Sequence, residues 1–192
     1  SLGLRVVGQY VNSGGWIDQP AVNKSDINDY ELYNVRAKLL WLPSDNLEVK
    51  ATAIVHRNNV GAQNVGEDDN GNYSQTFGDL STPSAEDDYD IYSLLVSYDL
   101  GGVSLVSSTG YLDSSKKYQN FGYTCCFPTM VPGVFSNVLV PTAEINAKVL
   151  TQEFRISSTD SESLFWSAGV FYKDAKTVPF KNEGLLFGDP DG

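Results

Sequence analysis

An all-β, antiparallel up-and-down sheet of about seven strands is the fold class that this sequence predicts. Three observations predict it. Apolar and polar residues alternate with a period of two in stretch after stretch, and helical periodicity is missing from every window long enough to matter. The connections between the stretches are also alternately very short and very long.

Counting the alternation along the chain places strands at 2–11, 31–42, 47–58, 88–99, 103–117, 148–158 and 163–176. The first opens with Leu2-Gly3-Leu4-Arg5-Val6-Val7 and reads as a strand, not as a signal peptide. In the second, Tyr33, Val35, Ala37, Leu39 and Trp41 stand against Asn34, Arg36, Lys38 and Leu40. The third sets Leu47, Val49, Ala51, Ala53 and Val55 against Glu48, Lys50, Thr52 and His56. The fourth sets Tyr92, Leu94, Val96 and Tyr98 against Asp90, Ser93, Ser97 and Asp99. The fifth contains Ser104-Leu105-Val106-Ser107-Ser108-Thr109-Gly110-Tyr111. In the sixth, Leu150, Phe154 and Ile156 oppose Thr151, Glu153, Arg155 and Ser157, and the seventh puts Leu164, Trp166, Ala168, Val170 and Tyr172 on one face. Each strand therefore meets two environments, and a slip of one residue would exchange them. Prolines fall between strands or at their ends, where a missing ladder donor does no harm.

The connections sort into two classes. Pro43 to Asn46, Gly101-Gly102 and Thr159 to Glu162 are tight turns, whereas 12–30, 59–87 and 118–147 are long and rich in Gly, Asn, Asp, Ser and Pro. Loops beyond about fifteen residues are uncommon in a compact domain unless they have a task, and all three lie on the same side. An outer-membrane barrel has this asymmetry, with tight turns on one side of the bilayer and long loops outside. No apolar run reaches the ~20 residues of a membrane helix, so a membrane role requires strands.

Aromatic placement agrees with that expectation. Trp41, Tyr98 and Trp166 sit beside the short turns, and Tyr10, Tyr33, Tyr111 and Tyr172 toward the long connections, which marks them as candidate lipid-interface residues. The eight residues from Tyr33 to Trp41, at ~3.3 Å each and a tilt near 40°, span about 20 Å of bilayer normal. The opposite parity carries Arg36, Lys38, Lys50, Glu153 and Arg155, the candidate lumen-facing charges.

Composition bounds the partners. The chain has 192 residues, 41% of them apolar, so it has enough material for a large buried surface and disorder is not expected. Its net charge of -11 and pI near 4.3 argue against nucleic acid, because phosphate binding needs clustered Lys and Arg. The two cysteines, Cys125 and Cys126, are adjacent and far in sequence from the only histidine, His56, so neither a disulfide framework nor a zinc site is expected. The acidic run Glu67-Asp68-Asp69-Asn70-Gly71-Asn72 lacks the spacing of an EF-hand loop. No phosphate loop, nucleophile elbow or histidine metal pair is present, which points away from an enzyme and from any cofactor. Trp16, Tyr73, Phe77, Phe121, Tyr123, Phe127 and Phe135 lie in the long connections. They are candidates to grip an external ligand, and they would equally pack those connections against each other.

Particular strings resemble the TonB-dependent receptors of Gram-negative outer membranes. Gly14-Gly15-Trp16-Ile17-Asp18-Gln19-Pro20 followed by Asn34 to Pro43 is similar to the loop and returning strand found early in these barrels, and Ser44 to Val49 to their periplasmic turn. Ser104 to Tyr111 resembles another recurring barrel strand. Thr151 to Ser158, continued by Leu164 to Tyr172, is the strongest likeness. The resemblance implies a plugged barrel of about 22 strands, of which seven strands would form about a third of the wall. No plug domain, TonB box or aromatic-terminated final strand is among these residues, so a segment of a longer protein is expected. What the resemblance implies for that protein is active uptake of a scarce solute, an iron-siderophore, vitamin or oligosaccharide, energised by the TonB complex through the missing N-terminal part. The expected partners are then outer-membrane lipid and a small solute such as a metal chelate. Two other classes stay open at this point: a secreted β-sandwich that binds carbohydrate or acts as an adhesin, and a passive porin.

Overall fold

The computed structural model describes residues 1–64, 73–75, 82–119, 123–125, 137–139, 142–159 and 164–182, the side chains of 123–125, 137–139 and 179–182 excepted. Seven long strands form one antiparallel sheet: β1 (Leu2–Ser13), β2 (Tyr30–Ser44), β3 (Leu47–Val60), β4 (Ser84–Asp99), β5 (Val103–Gln119), β8 (Thr142–Ser158) and β9 (Ser167–Asn182). Their spatial order is β1-β2-β3-β4-β5-β8-β9, each beside its neighbour in sequence, and the sheet does not close on itself. Between β5 and β8 a three-residue pair, β6 (Tyr123–Cys125) and β7 (Asn137–Leu139), makes a separate small ladder that the alternation did not reveal. The one helical turn among the described residues is a 3-10 turn at Pro20–Val22.

Turn chemistry explains the short connections. Between β4 and β5, Gly101 and Gly102 take φ of 82° and 143°, which only glycine adopts without strain. The Asp99 carboxylate caps that turn by accepting from Gly101 N at 2.8 Å. Between β2 and β3, Ser44 Oγ donates to Asn46 Oδ1 at 2.6 Å, and the register shifts between Trp41 and Ser44. The third connection is longer than expected: Ser158 N donates to Trp166 O at 2.9 Å and β9 starts at Ser167, so 159–166 bridge the gap where 159–162 were expected.

Several strands outrun their expected ends on the side of the long connections. β4 begins at Ser84 instead of 88, β8 at Thr142 instead of 148, and β5 reaches Gln119. The added residues are mixed, with Ala85, Ala143, Ile145 and Ala147 among polar ones, and one of them, Asp87, is held across the ladder by Lys116, whose Nζ lies 3.0 Å from Asp87 Oδ2. Apolar alternation is weak in such extensions, because their apolar positions are mostly small alanines.

The sheet has no apolar layer packed on it among the described residues. The buried hydrophobic residues are Ile17, Ile27, Ala62 and Ala143, and the first three cluster in the long connections, not on the sheet. The chain exposes 12929 Å², where a folded monomer of 21.0 kDa exposes about 9,000 Å².

Candidate functional site: two unlike faces and a tied pair of loops

Register builds the first face row by row. Leu4, Leu39, Ala51, Leu94, Thr109, Gln152 and Tyr172 are successive cross-strand partners, and beside them run Val6, Ala37, Ala53, Tyr92, Tyr111, Leu150 and Asp174. Toward the short turns follow Trp41, Val49, Val96, Ser107, Phe154 and Val170, then Tyr98, Leu105, Ile156 and Ala168. The result is a broad apolar band that nothing described here covers. Leu4 is 70% exposed, Val170 69% and Phe154 54%.

The aromatics expected at a lipid interface, Tyr10, Tyr33, Trp41, Tyr98, Tyr111 and Tyr172, all fall on this face, and Trp166 continues its parity just before β9. Tyr10 and Tyr33 are direct partners with rings 4.7 Å apart, and both hydroxyls donate to Glu31 Oε1, at 3.2 and 2.7 Å. Tyr111 stacks on Tyr92 at 6.4 Å and stands mid-strand, and Tyr172 is nearer the short connection still. Both had been expected toward the long connections. The strands continue beyond them in hydrophilic residues, which leaves Tyr10 and Tyr33 as the pair at that end.

Asp90 also departs from expectation: it shares the face of Tyr92 instead of opposing it. Its row is Val35, Val55, Asp90, Asp113 and Lys148. Here the apolar band gives way to charge, because Arg57 Nη1 lies 2.7 Å from Asp90 Oδ1 and Arg57 Nε 3.8 Å from Asp88 Oδ2.

The second face holds every one of the candidate charges Arg36, Lys38, Lys50, Glu153 and Arg155. Lys50 Nζ pairs with Glu48 Oε1 at 2.7 Å and Arg155 Nη1 with Glu153 Oε1 at 3.8 Å. One cross-strand row runs Arg5, Lys38, Thr52, Ser93, Gly110, Thr151 and Lys173. This face is less uniformly polar than the sequence pattern implied, because the next row contains Ile54, Ile91, Leu112 and Val149. A third row brings Asn34, His56 and Tyr89 together: Asn34 Nδ2 is 3.1 Å from His56 Nδ1, and His56 stacks on Tyr89 at 4.5 Å.

Two of the long connections are tied together. Asn28 Oδ1 accepts from Trp16 N at 2.7 Å and Ile17 N at 2.8 Å, while its Nδ2 donates to Asn64 Oδ1 at 2.7 Å. Ala62 N donates to Ile27 O at 2.7 Å, Asp18 N to Tyr73 O at 3.0 Å and Gln75 N to Asp18 O at 2.7 Å. Gly61 permits the approach, because a Cβ there would sit 2.1 Å from Ile27 O. Trp16 meets Tyr73 edge-to-face at 5.0 Å, each about half exposed. Of the seven loop aromatics, these two are thus brought together. Tyr123 lies in β6 with its side chain outside the described residues, as are Phe77, Phe121, Phe127, Phe135, Cys126 and the acidic run Glu67 to Asn72. Among the described residues no group of His, Cys, Asp and Glu is arranged to hold a metal, and no helix is long and apolar enough to cross a membrane.

Sequence reasoning passed over Arg5, Asn28 and the His56–Tyr89 stack. Arg5 had a usable signal, since its parity in β1 sets it opposite Leu4 and Val6. Asn28 had none, because its partners Trp16, Ile17 and Asn64 are joined to it only by the folding of two loops. Comparison with protein-family models, curated proteins and solved structures finds no match for this chain.

Proposed function

We propose that this chain forms part of the wall of an outer-membrane transport barrel of the TonB-dependent kind, about seven strands of a larger cylinder. The first face meets lipid, the second the lumen, and the long connections face outward to capture a scarce solute such as a metal chelate, vitamin or oligosaccharide. Energy for uptake comes from the TonB complex acting through other parts of the protein.

The observation that carries this reading is a single sheet with an apolar face left bare across all seven strands. In water such a face would demand a second layer. In a bilayer the lipid is that layer, and strands of 12 to 17 residues exceed the about 9–11 residues that a tilted strand needs to cross. Two features add support. Trp41 and Tyr98 stand near one end of the band and Tyr10 and Tyr33 near the other, as interfacial rings do. Among the described residues no strand pairs with the outer edges of β1 and β9, where further strands of a cylinder would pair. A sandwich would need a second large sheet over the apolar face, and among the described residues only the three-residue pair β6–β7 lies outside the first.

Quenching by brominated lipid tests the membrane part. With Trp41 or Trp166 kept as the sole tryptophan, emission is expected to be quenched in vesicles carrying bromine on the acyl chains, and with Trp16 alone it is expected to persist. A monomeric, cooperatively folded protein in plain buffer would overturn the reading. Energised uptake is tested in cells by a protonophore, which should stop solute accumulation without stopping surface binding.

A further inference from the structure

At one edge of the second face Arg5, Arg36 and Lys38 form a group of three cations without an anion, and Lys173 at the other edge is a further one. Arg5 in β1 and Lys38 in β2 are direct cross-strand partners, and Arg36 stands on the same face two residues along from Lys38. Like charges directly opposite in a ladder destabilise it. No carboxylate among the described residues pairs with any of the three, although the chain carries 24 acidic residues against 13 basic ones. Elsewhere in the sheet Arg57 is matched by Asp90, Lys116 by Asp87 and Lys148 by Asp113, while Lys173 and Lys176 of β9 make no ion pair among the described residues. Glu48, a carboxylate on that face in the neighbouring strand β3, is engaged with Lys50.

Shape adds to charge. Arg5, Lys38, Leu40, Lys50 and Thr52 line an open recess of about 410 Å³. Gly3, directly opposite Leu40, adds no side chain to it, and Leu40 supplies an apolar wall that strengthens any ionic contact beside it. A guanidinium presents parallel N–H donors that match the two oxygens of a carboxylate or phosphate, and an ammonium adds a point charge next to them.

We propose that Arg5 and Lys38, with Arg36 on the same face just outside the recess, form a binding site for a small oxyanion, a carboxylate or a phosphate, on the face opposite the apolar band. The anion relieves the repulsion between Arg5 and Lys38 and is held in the recess by charge-assisted hydrogen bonds. This site does not depend on the membrane reading, because Arg5 and Lys38 are cross-strand partners whether the sheet sits in a bilayer or not.

Calorimetric titration at low salt, with citrate and with inorganic phosphate as separate probes, tests the proposal on the folded protein in the detergent or buffer that keeps it monomeric. At least one probe is expected to bind, more weakly as salt rises. Binding of citrate alone assigns a carboxylate site and binding of phosphate alone a phosphate site. The double variant R5Q/K38Q is expected to lose about tenfold or more in affinity, R36Q to lose less, and K116Q, on the same face but paired with Asp87, to bind as the parent does. Thermal unfolding of R5Q/K38Q at or above the parent's temperature would separate lost binding from lost folding, since the variant removes a repulsion. Failure of both probes to bind, unchanged binding by R5Q/K38Q and R36Q, or equal loss in K116Q would overturn the proposal.

Discussion

Single residues decide how the long connections are held. Asn28 uses its side-chain oxygen for two backbone amides, Trp16 and Ile17, and its nitrogen for Asn64, so one amide group ties together segments far apart in sequence. Replacing it leaves two amides without their acceptor, one of them buried. Asn28→Ala is therefore expected to cost about 1–3 kcal/mol locally, seen as faster hydrogen exchange at Trp16 and Ile17 with the strand amides unchanged. Gly61 acts by absence: an added methyl would meet the Ile27 carbonyl at 2.1 Å. Gly61→Ala should loosen the same loop pair by about 1–3 kcal/mol through overpacking, and the check is exposure of Trp16 to a soluble quencher. Neither role was legible in the sequence. An asparagine or a glycine in a long polar connection is ordinary, and what makes these two matter is the approach of 61–64 to 17–28, which no local pattern encodes.

At the scale of the strand, parity was the legible quantity. Alternation places Leu94 on one face and Ser93 on the other, and the register with β3 and β5 sets Leu94 between Ala51 and Thr109, Ser93 between Thr52 and Gly110. If the first face meets lipid, an arginine there is expensive and one on the second face is not. Leu94→Arg is expected to cost about 2–4 kcal/mol near the bilayer centre and Ser93→Arg well under that, read from urea unfolding of the protein in vesicles. Equal costs would remove the distinction between the faces. The strand ends were less legible, because alternation of apolar residues stops where the apolar band stops, while the ladder continues through ion pairs such as Asp87 with Lys116.

For the whole molecule the governing fact is the mismatch between sheet and core. The few buried hydrophobic residues cannot account for the ordering of seven long strands in water, given that each ordered residue costs about 1–2 kcal/mol of backbone entropy. Removal of detergent is therefore expected to turn the monomer into large aggregates, measured by sedimentation velocity, and return of detergent or lipid to restore the monomer. The sequence by itself determined the seven strands of the main sheet, their up-and-down order, the two short hairpin turns, and which residues share a face. These follow from periods and turn residues a few positions apart, so they are written locally. Only the tertiary structure decided how far the ladders extend, that Asp90 pairs with Arg57, that Trp16 meets Tyr73, and that Arg5 and Lys38 confront each other without an anion. Those facts depend on cross-strand register and on loops meeting in space, where the partners are distant in sequence and no local preference points from one to the other.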